Sequence, residues 1–406
     1  MRWNWQQPDW PAFTFDPAPL AALEARLLHE SGRLFGAFAH LDETEQRRLT
    51  IDCIGDEALM TARIEGEYLD RDSLQSSLLC QFGLAYDERR VPPAEAGMAE
   101  LMVDLYRRFQ APLSHDTLRA WQAMLMRGRS DLDEVGCYRR RAEPMQVVSG
   151  AVYAPRVHFE APPAALVPAE MERFLAWFEH TAPAGAGALP PLTRAGLAHL
   201  YFVSIHPFED GNGRIARAIA EKALAQGLGQ PTLAALSHCI ERHKKAYYAA
   251  LQRANKGDPV DDWLNYFART TLDALDYSRA RVGLLIVKAR LYDRLKGQLN
   301  PRQEKVLARL FAAGPEGFRG GLSAENYIAL TRTSRATATR DLQDLVAKGA
   351  LTRSGERKHT RYALQVPATP GQGSDSMALF SYRRIAPHGD RRSRLTVKVR
   401  SQAILA

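Results

Sequence analysis

The chain has 406 residues, 46% hydrophobic and 25% charged, a balance typical of soluble globular proteins at a length that accommodates two or three domains. No apolar run reaches bilayer length and no apolar signal segment opens the chain, while Cys53, Cys80, Cys137 and Cys239 are scattered without a C-x-x-C pair, so the expectation is a cytoplasmic protein with free thiols and no membrane partner. The net charge of +8 is concentrated in residues 366–406, where seven Lys/Arg face two acids, so it is weak ground for nucleic-acid binding by the body of the protein.

Residues 1–15 hold Trp3, Trp5, Pro8, Trp10 and Pro11 and read as an irregular segment packed on something. From Ala18 to Ser77 the spacing of Leu23, Leu27 and Leu28, then Phe35, Phe38 and Leu41, predicts helix. Pro92-Pro93 marks a boundary, followed by a helical stretch over 97–127 and a Gly-Cys-Tyr-Arg turn at 136–139. Residues 144–160 predict a hairpin, two β-branched runs around Ser149-Gly150, closed by Pro162-Pro163. Helices are expected over 167–181 and 192–205, and again after residue 217 up to about 296. A new unit starts at Leu299-Asn300-Pro301, with helices over 303–313, 323–331 and 334–348, Gly349 as C-cap, and short strands at 350–353 and 360–364. That order is the order of a winged helix-turn-helix. A Pro/Gly/Ser linker at 367–376 leads into the basic tail, expected to be poorly ordered.

Between the two central helical stretches lies His206-Pro-Phe-Glu-Asp-Gly-Asn-Gly-Arg-Ile-Ala-Arg217. His206 falls at a helix end stopped by Pro207, a rigid and partly open place that suits a general base. Asp210 offers the hard oxygen that Mg²⁺ takes together with substrate phosphates. Gly211-Asn212-Gly213 lets backbone amides approach an anion, and the following helix adds its positive N-terminal end. Arg214 and Arg217, at i and i+3, share a helix face and can both grip phosphate. A calcium loop fits poorly, because Arg214 stands where an acid is wanted and Ile215 where glycine is needed. Asp-Gly-Asn-Gly alone is usually only a turn; the glycines and arginines together favour nucleotide chemistry.

This string resembles the Fic family signature, His-x-Phe-x-(Asp/Glu)-Gly-Asn-Gly-Arg-x-x-Arg, at every fixed position, and the surrounding pattern agrees over about residues 86–290. The resemblance implies a mainly α, helical Fic fold and a protein adenylyltransferase, moving AMP from ATP to a Tyr, Ser or Thr hydroxyl of an unidentified target protein. It implies His206 as base, Asp210 as Mg²⁺ ligand, Gly211, Asn212 and Gly213 as anion cradle, and Arg214 and Arg217 on the β- and γ-phosphates. The hairpin resembles the family's flap, with Val147, Val148, Ser149 and Gly150 as the edge that docks the target by strand addition. Tyr247 and Tyr248 are candidates for the adenine pocket, against the plainer reading that they are core.

Thr61-Ala-Arg-Ile-Glu65-Gly66 resembles the family's inhibitory motif, (Ser/Thr)-x-x-x-Glu-(Gly/Asn). That implies Glu65 pairing with Arg217 to remove the γ-phosphate clamp, and a possible second use of Glu65 in orienting water to take AMP off a target. The Trp-rich N-terminus resembles the small helical domain ahead of many bacterial Fic cores, which packs on the core or on a second copy in a homodimer. The expected division is 1–85 (N-terminal, with the 61–66 motif), 86–296 (catalytic), 299–366 (winged helix) and 367–406 (tail). In the last folded unit Arg335, Thr337, Thr339, Arg340 and Gln343 face outward from a recognition helix and Arg353, Arg357, Lys358 and Arg361 decorate a wing, so DNA is a candidate partner. The competing reading is a DNA-binding regulator that senses nucleotide with little turnover.

Overall fold

A computed structural model describes residues 2–365 except 85–90, 152–153, 258, 316 and 319, and for 149–151, 154–155 and 358 it describes the backbone alone. The basic tail expected at 367–406 lies outside the described residues. Fourteen α-helices and two small antiparallel hairpins occur among them, a mainly helical fold in keeping with the sequence reading. No helix of the described residues is long and apolar enough to cross a membrane. Two compact units are distinct, one ending at Asp276 and one beginning at Tyr277.

The first unit opens with a single 3-10 turn, Asn4–Gln6, and continues through α1 (Ala18–Ala39), α2 (Glu43–Ile64) and α3 (Arg71–Gln81). The sequence read these three as one stretch, and caps break it. Asp42 accepts from the Glu45 amide at 2.8 Å and Glu45 accepts from the Asp42 amide at 3.2 Å, a capping box that starts α2. Gly66, at φ +87°, carries the chain out of α2, and Asp70 accepts from the Ser73 amide at 2.9 Å to start α3. The helix predicted over 97–127 likewise divides into α4 (Pro93–Arg107) and α5 (His115–Leu125). Pro112 lies in the gap, and Ser114 caps the second piece by accepting from Thr117 N at 3.1 Å.

The predicted hairpin forms from β1 (Gln146–Ala151) and β2 (Ala154–Glu160), antiparallel, with Val147 opposite Phe159 and a register shift between Val147 and Val148. The N-terminal tryptophans find their partner here. Met145, Phe159 and Ala161 form a small apolar cluster with Trp3, Trp5 and Val147 against it. Trp3 meets Phe159 edge-on at 5.5 Å, and Trp5 Nε1 donates to the Glu160 carbonyl at 2.7 Å.

Then come α6 (Val167–His180), α7 (Pro191–Ile205), α8 (Asn212–Leu228), α9 (Leu236–Arg242), α10 (Lys244–Asn255) and the 35-residue α11 (Val260–Arg294). Every residue of α7 from Leu192 to Ile205 is buried. Two polar members keep partners: Arg194 donates to the Phe178 carbonyl at 2.8 Å, and His199 Nε2 meets the Tyr247 hydroxyl at 3.1 Å. This central helix, packed along α8, fixes the loop between them.

The second unit adds α12 (Pro301–Ala312), α13 (Ala324–Thr331), α14 (Arg335–Ala347), β3 (Leu351–Ser354) and β4 (Arg361–Leu364), with Leu351 opposite Leu364 and a further bridge from Leu322 to Tyr362. Val306, Leu310, Leu342 and Leu345 share its core with Leu284 and Leu291 of α11 and with Leu295 just after it, which is why the unit begins at Tyr277 rather than at the Asn300-Pro301 break. Buried Asp341 organises one end, accepting from Tyr327 Oη at 2.9 Å, Arg302 Nε at 2.8 Å and Asn300 Nδ2 at 3.1 Å.

Candidate active site

His206 terminates α7 in the left-handed region, φ 52° and ψ 58°. The residue before proline is disfavoured in the right-handed helical region, and a non-glycine residue pays strain on the other side. Arg139 holds this turn. Its Nε donates to the His206 carbonyl at 2.8 Å and its amide to the Pro207 carbonyl at 2.9 Å. Burial lowers the Arg139 guanidinium only to about 10, so it stays charged. His206 Nδ1–H donates to the Val203 carbonyl at 3.2 Å, which fixes the tautomer and leaves Nε2 with its lone pair. Burial first, then the charge of Arg139, lowers His206 to about 4. The imidazole is neutral at physiological pH, the form that accepts a proton. The sequence showed the 136–139 turn without showing what Arg139 does.

The loop that follows is stapled by Asn212. Its Oδ1 accepts from Phe208 N at 3.0 Å and its Nδ2 donates to the Phe208 carbonyl at 2.8 Å, over a fully buried Phe208 ring. The Asn212 side chain is therefore spent on the loop, and what it presents to an anion is backbone. Gly211, at φ +92°, caps α8 and turns the first amides of that helix outward. Gly213 allows a close approach: a Cβ there would collide with Glu65 Oε1. A carboxylate thus lies against the helix N-terminus where an anion is favoured.

That carboxylate comes from the end of α2. Glu65 Oε1 accepts from Arg217 Nη2 at 2.8 Å, while Thr61 takes the same guanidinium from the other side, Oγ1 from Nε at 2.7 Å and its carbonyl from Nη2 at 3.0 Å. Arg217 is 3% exposed. Burial opposes its charge, but neighbouring Glu65 more than offsets this and holds the guanidinium above its ordinary range. Arg214, also 3% exposed, donates to Glu67 and, at 3.3 Å, to Asp210 Oδ1. Arg129 reaches Asp210 Oδ2 at 3.0 Å. Neither Glu67 nor Arg129 was singled out by the sequence.

His206, Asp210, Gly211, Asn212, Gly213 and Glu65 share the wall of one cavity of about 520 Å³ with Val147, His158 and Phe159 of the hairpin and with Lys244, Tyr247, Tyr248, Leu251 and Asn255 of α10. The volume suits a small organic ligand. Tyr247 is 2% exposed and bonded to His199, so it belongs to the core as much as to the wall. Tyr248 points its hydroxyl at Glu65 Oε2, 3.4 Å away. Thr61, Gly66, Arg214, Arg217 and Val148 do not line the cavity; the two arginines lie behind it. Ser149 and Gly150 belong to β1, with the backbone alone described.

Among the described residues no group of three or more His, Cys, Asp or Glu is placed to hold a metal. Asp210 alone, facing the cavity, fits a magnesium ion that takes its other ligands from phosphate and water.

Residues 112–224 match the Fic/DOC family model, and residues 3–84 match a domain of unknown function, DUF4172. Among curated proteins, the chain is 33% identical over 108 residues to a protein adenylyltransferase Fic of Drosophila virilis and 38% identical over 86 residues to one of Aedes aegypti. These cover 26% and 21% of this chain but only 20% and 16% of the relatives, so the chain matches about a fifth of their length. Of solved structures, a Fic family protein from Desulfovibrio desulfuricans superposes with a TM-score of 0.48 at 21% identity, over 89% of this chain and 99% of that one. Fic-1 of C. elegans gives a TM-score of 0.44 at 22% identity, over 67% and 76%.

Proposed function

We propose that this chain, whose residues 112–224 are a Fic/DOC-family domain, transfers AMP from ATP to a hydroxyl side chain of a protein and holds itself in check with Glu65. The observation that carries the reading is a neutral His206 and an anion-ready helix N-terminus on one cavity, with Glu65 already on the helix and on Arg217.

In the transfer, Nε2 of His206 takes the hydroxyl proton as the oxygen bonds to the α-phosphorus. The bond from that phosphorus to the bridging oxygen breaks, and pyrophosphate leaves. The Gly211–Gly213 amides at the head of α8 stabilise the charge on the phosphate oxygens, and Asn212 keeps the loop in shape while they do. Asp210 would hold Mg²⁺, which supplies charge neutralisation across the phosphates. Arg214 and Arg217 would clamp the β- and γ-phosphates once their present carboxylate partners leave. Tyr247 and Tyr248, which line the cavity, would face the adenine. While Glu65 stays on Arg217, ATP enters without its γ-phosphate clamp, and in-line geometry at the α-phosphorus is lost. The same carboxylate, beside the cradle, would orient water for the reverse reaction.

The test is incubation of Glu65→Gly with ATP labelled at either the α- or the γ-phosphate. Label reaching protein from the α-position alone, and falling roughly a hundredfold or more with His206→Ala added, is expected for loss of a general base. Transfer from the γ-position, or label that survives His206→Ala, overturns the reading.

A second reading concerns α14 and the β3–β4 hairpin, where Arg335, Thr339, Arg340, Gln343, Arg353 and Arg357 are all exposed. This suits a winged helix contacting DNA phosphates, and a regulator that senses nucleotide would use it. Duplex retention in a gel that weakens steeply with salt is expected; no retention of any duplex at low salt points to a protein-binding role instead.

A further inference from the structure

We propose that Glu67 and Arg129 form a second lock on this site, separate from the Glu65–Arg217 pair, so that removing Glu65 frees only one of two clamps. The inference rests on the nucleotide-transfer reading and concerns how the same site is kept closed.

Gly66 makes the arrangement possible. Glu65 ends α2 with φ −85° and ψ 0°, and Gly66 at φ +87° reverses the chain. Two carboxylates one residue apart from that glycine therefore address different arginines. Glu65 takes Arg217; Glu67 Oε2 takes Arg214 Nη1, and its Oε1 lies 3.7 Å from Arg129 Nη1. Arg129 Nη1 also meets Asp210 Oδ2 at 3.0 Å, and Arg214 Nη2 meets Asp210 Oδ1 at 3.3 Å. Glu67, Arg214, Asp210 and Arg129 thus close a ring of alternating charge.

Glu67 and Arg129 each block something the reaction needs. Arg214 has a side chain only 2% exposed, so its charge requires an anion, and Glu67 supplies one in place of phosphate. Arg129 stands at Oδ2 of Asp210, whose Oδ1 already accepts from the Gly211 amide and from Arg214 Nη2. Two cations cannot share Oδ2 closely without strong repulsion. Asp131 holds the Arg129 fork at two points, Nε to Oδ1 and Nη2 to Oδ2, both at 2.7 Å. Asp131 leaves Nη1 as the one nitrogen that reaches into the site. Binding of a magnesium–nucleotide must therefore displace Glu67 from Arg214 and Arg129 from Asp210, whatever has happened at Arg217.

The experiment is calorimetric binding of α,β-methylene-ATP with Mg²⁺ to the full chain, as wild type, Glu65→Gly, Glu67→Gln, the double variant, and Arg129→Gln. Glu67→Gln keeps size and shape on a side chain that is one-third exposed, which limits its effect on folding. The expected result is binding roughly tenfold tighter for Glu67→Gln than for wild type, with a similar gain of the double variant over Glu65→Gly. Arg129→Gln should lower the Mg²⁺ concentration at half-maximal binding. Equal affinities for Glu65→Gly and the double variant overturn the second lock, as does an Arg129→Gln protein that needs more Mg²⁺. Those outcomes leave nucleotide transfer standing. Absence of binding in every variant overturns both.

Discussion

His206 ordinarily would titrate near 6.5, and burial with Arg139 beside it brings it to about 4. The base form is therefore already populated at neutral pH, and the site needs no alkaline activation. Between 6.5 and 4 the unfolded chain binds a proton that the folded chain refuses, so this residue weakens the fold as pH falls through that window and contributes nothing above it. A proton NMR titration of the His206 ring should show a midpoint near 4; a midpoint near 6.5 contradicts the buried, Arg139-facing environment. At this scale the spaced string 206–217 was legible because its chemistry is local in sequence. Arg139, Arg129 and Glu67 were not. They meet His206, Asp210 and Arg214 from 67, 81 and 147 residues away, and one sequence carries no record of such pairs. Asn212 was legible as a member of the string, but its role as the staple of the Phe208 turn needed the fold.

Among the elements, periodicity located helices well and their ends poorly. The run from 18 to 77 reads as continuous because both sides of Asp42 and Asp70 are amphipathic, and only the cap hydrogen bonds reveal the breaks. The break after α2 matters for function, since it places Glu65 and Glu67 on either side of Gly66. The first residues matter as well. Asn4 Nδ2 donates to Ser204 Oγ at 2.8 Å, two residues before His206, while Trp3 and Trp5 grip the foot of β2. The Asn4–Gln6 turn thus joins the hairpin to the end of α7. An edge-on aromatic pair contributes about 0.5–1.5 kcal/mol and a hydrogen bond about 1 kcal/mol. Trp3→Ala combined with Trp5→Phe should accordingly cost about 2 kcal/mol locally. Hydrogen exchange should then quicken at residues 145–147 and 159–161 while the amides of α8 keep their protection; unchanged exchange in the hairpin contradicts the strap.

For the whole molecule, a mainly helical class was readable from the spacing of apolar residues. The edge of the second unit was not, because α11 continues through Tyr277 without a change in pattern while its Leu284 and Leu291, with Leu295 just after it, join the second core. Residues 3–84 deliver a strap to the hairpin and two carboxylates to the arginines, so this region meets the hairpin and the 206–217 string at separate points. Competition between substrate and Glu65 for Arg217 is what the proposed function turns on. Its most direct measure is the rate of α-phosphate label transfer to protein by Glu65→Gly relative to wild type, at saturating ATP and Mg²⁺. A rise of roughly tenfold or more is expected when a transition-state clamp is restored. Equal rates in the two proteins would contradict the competition.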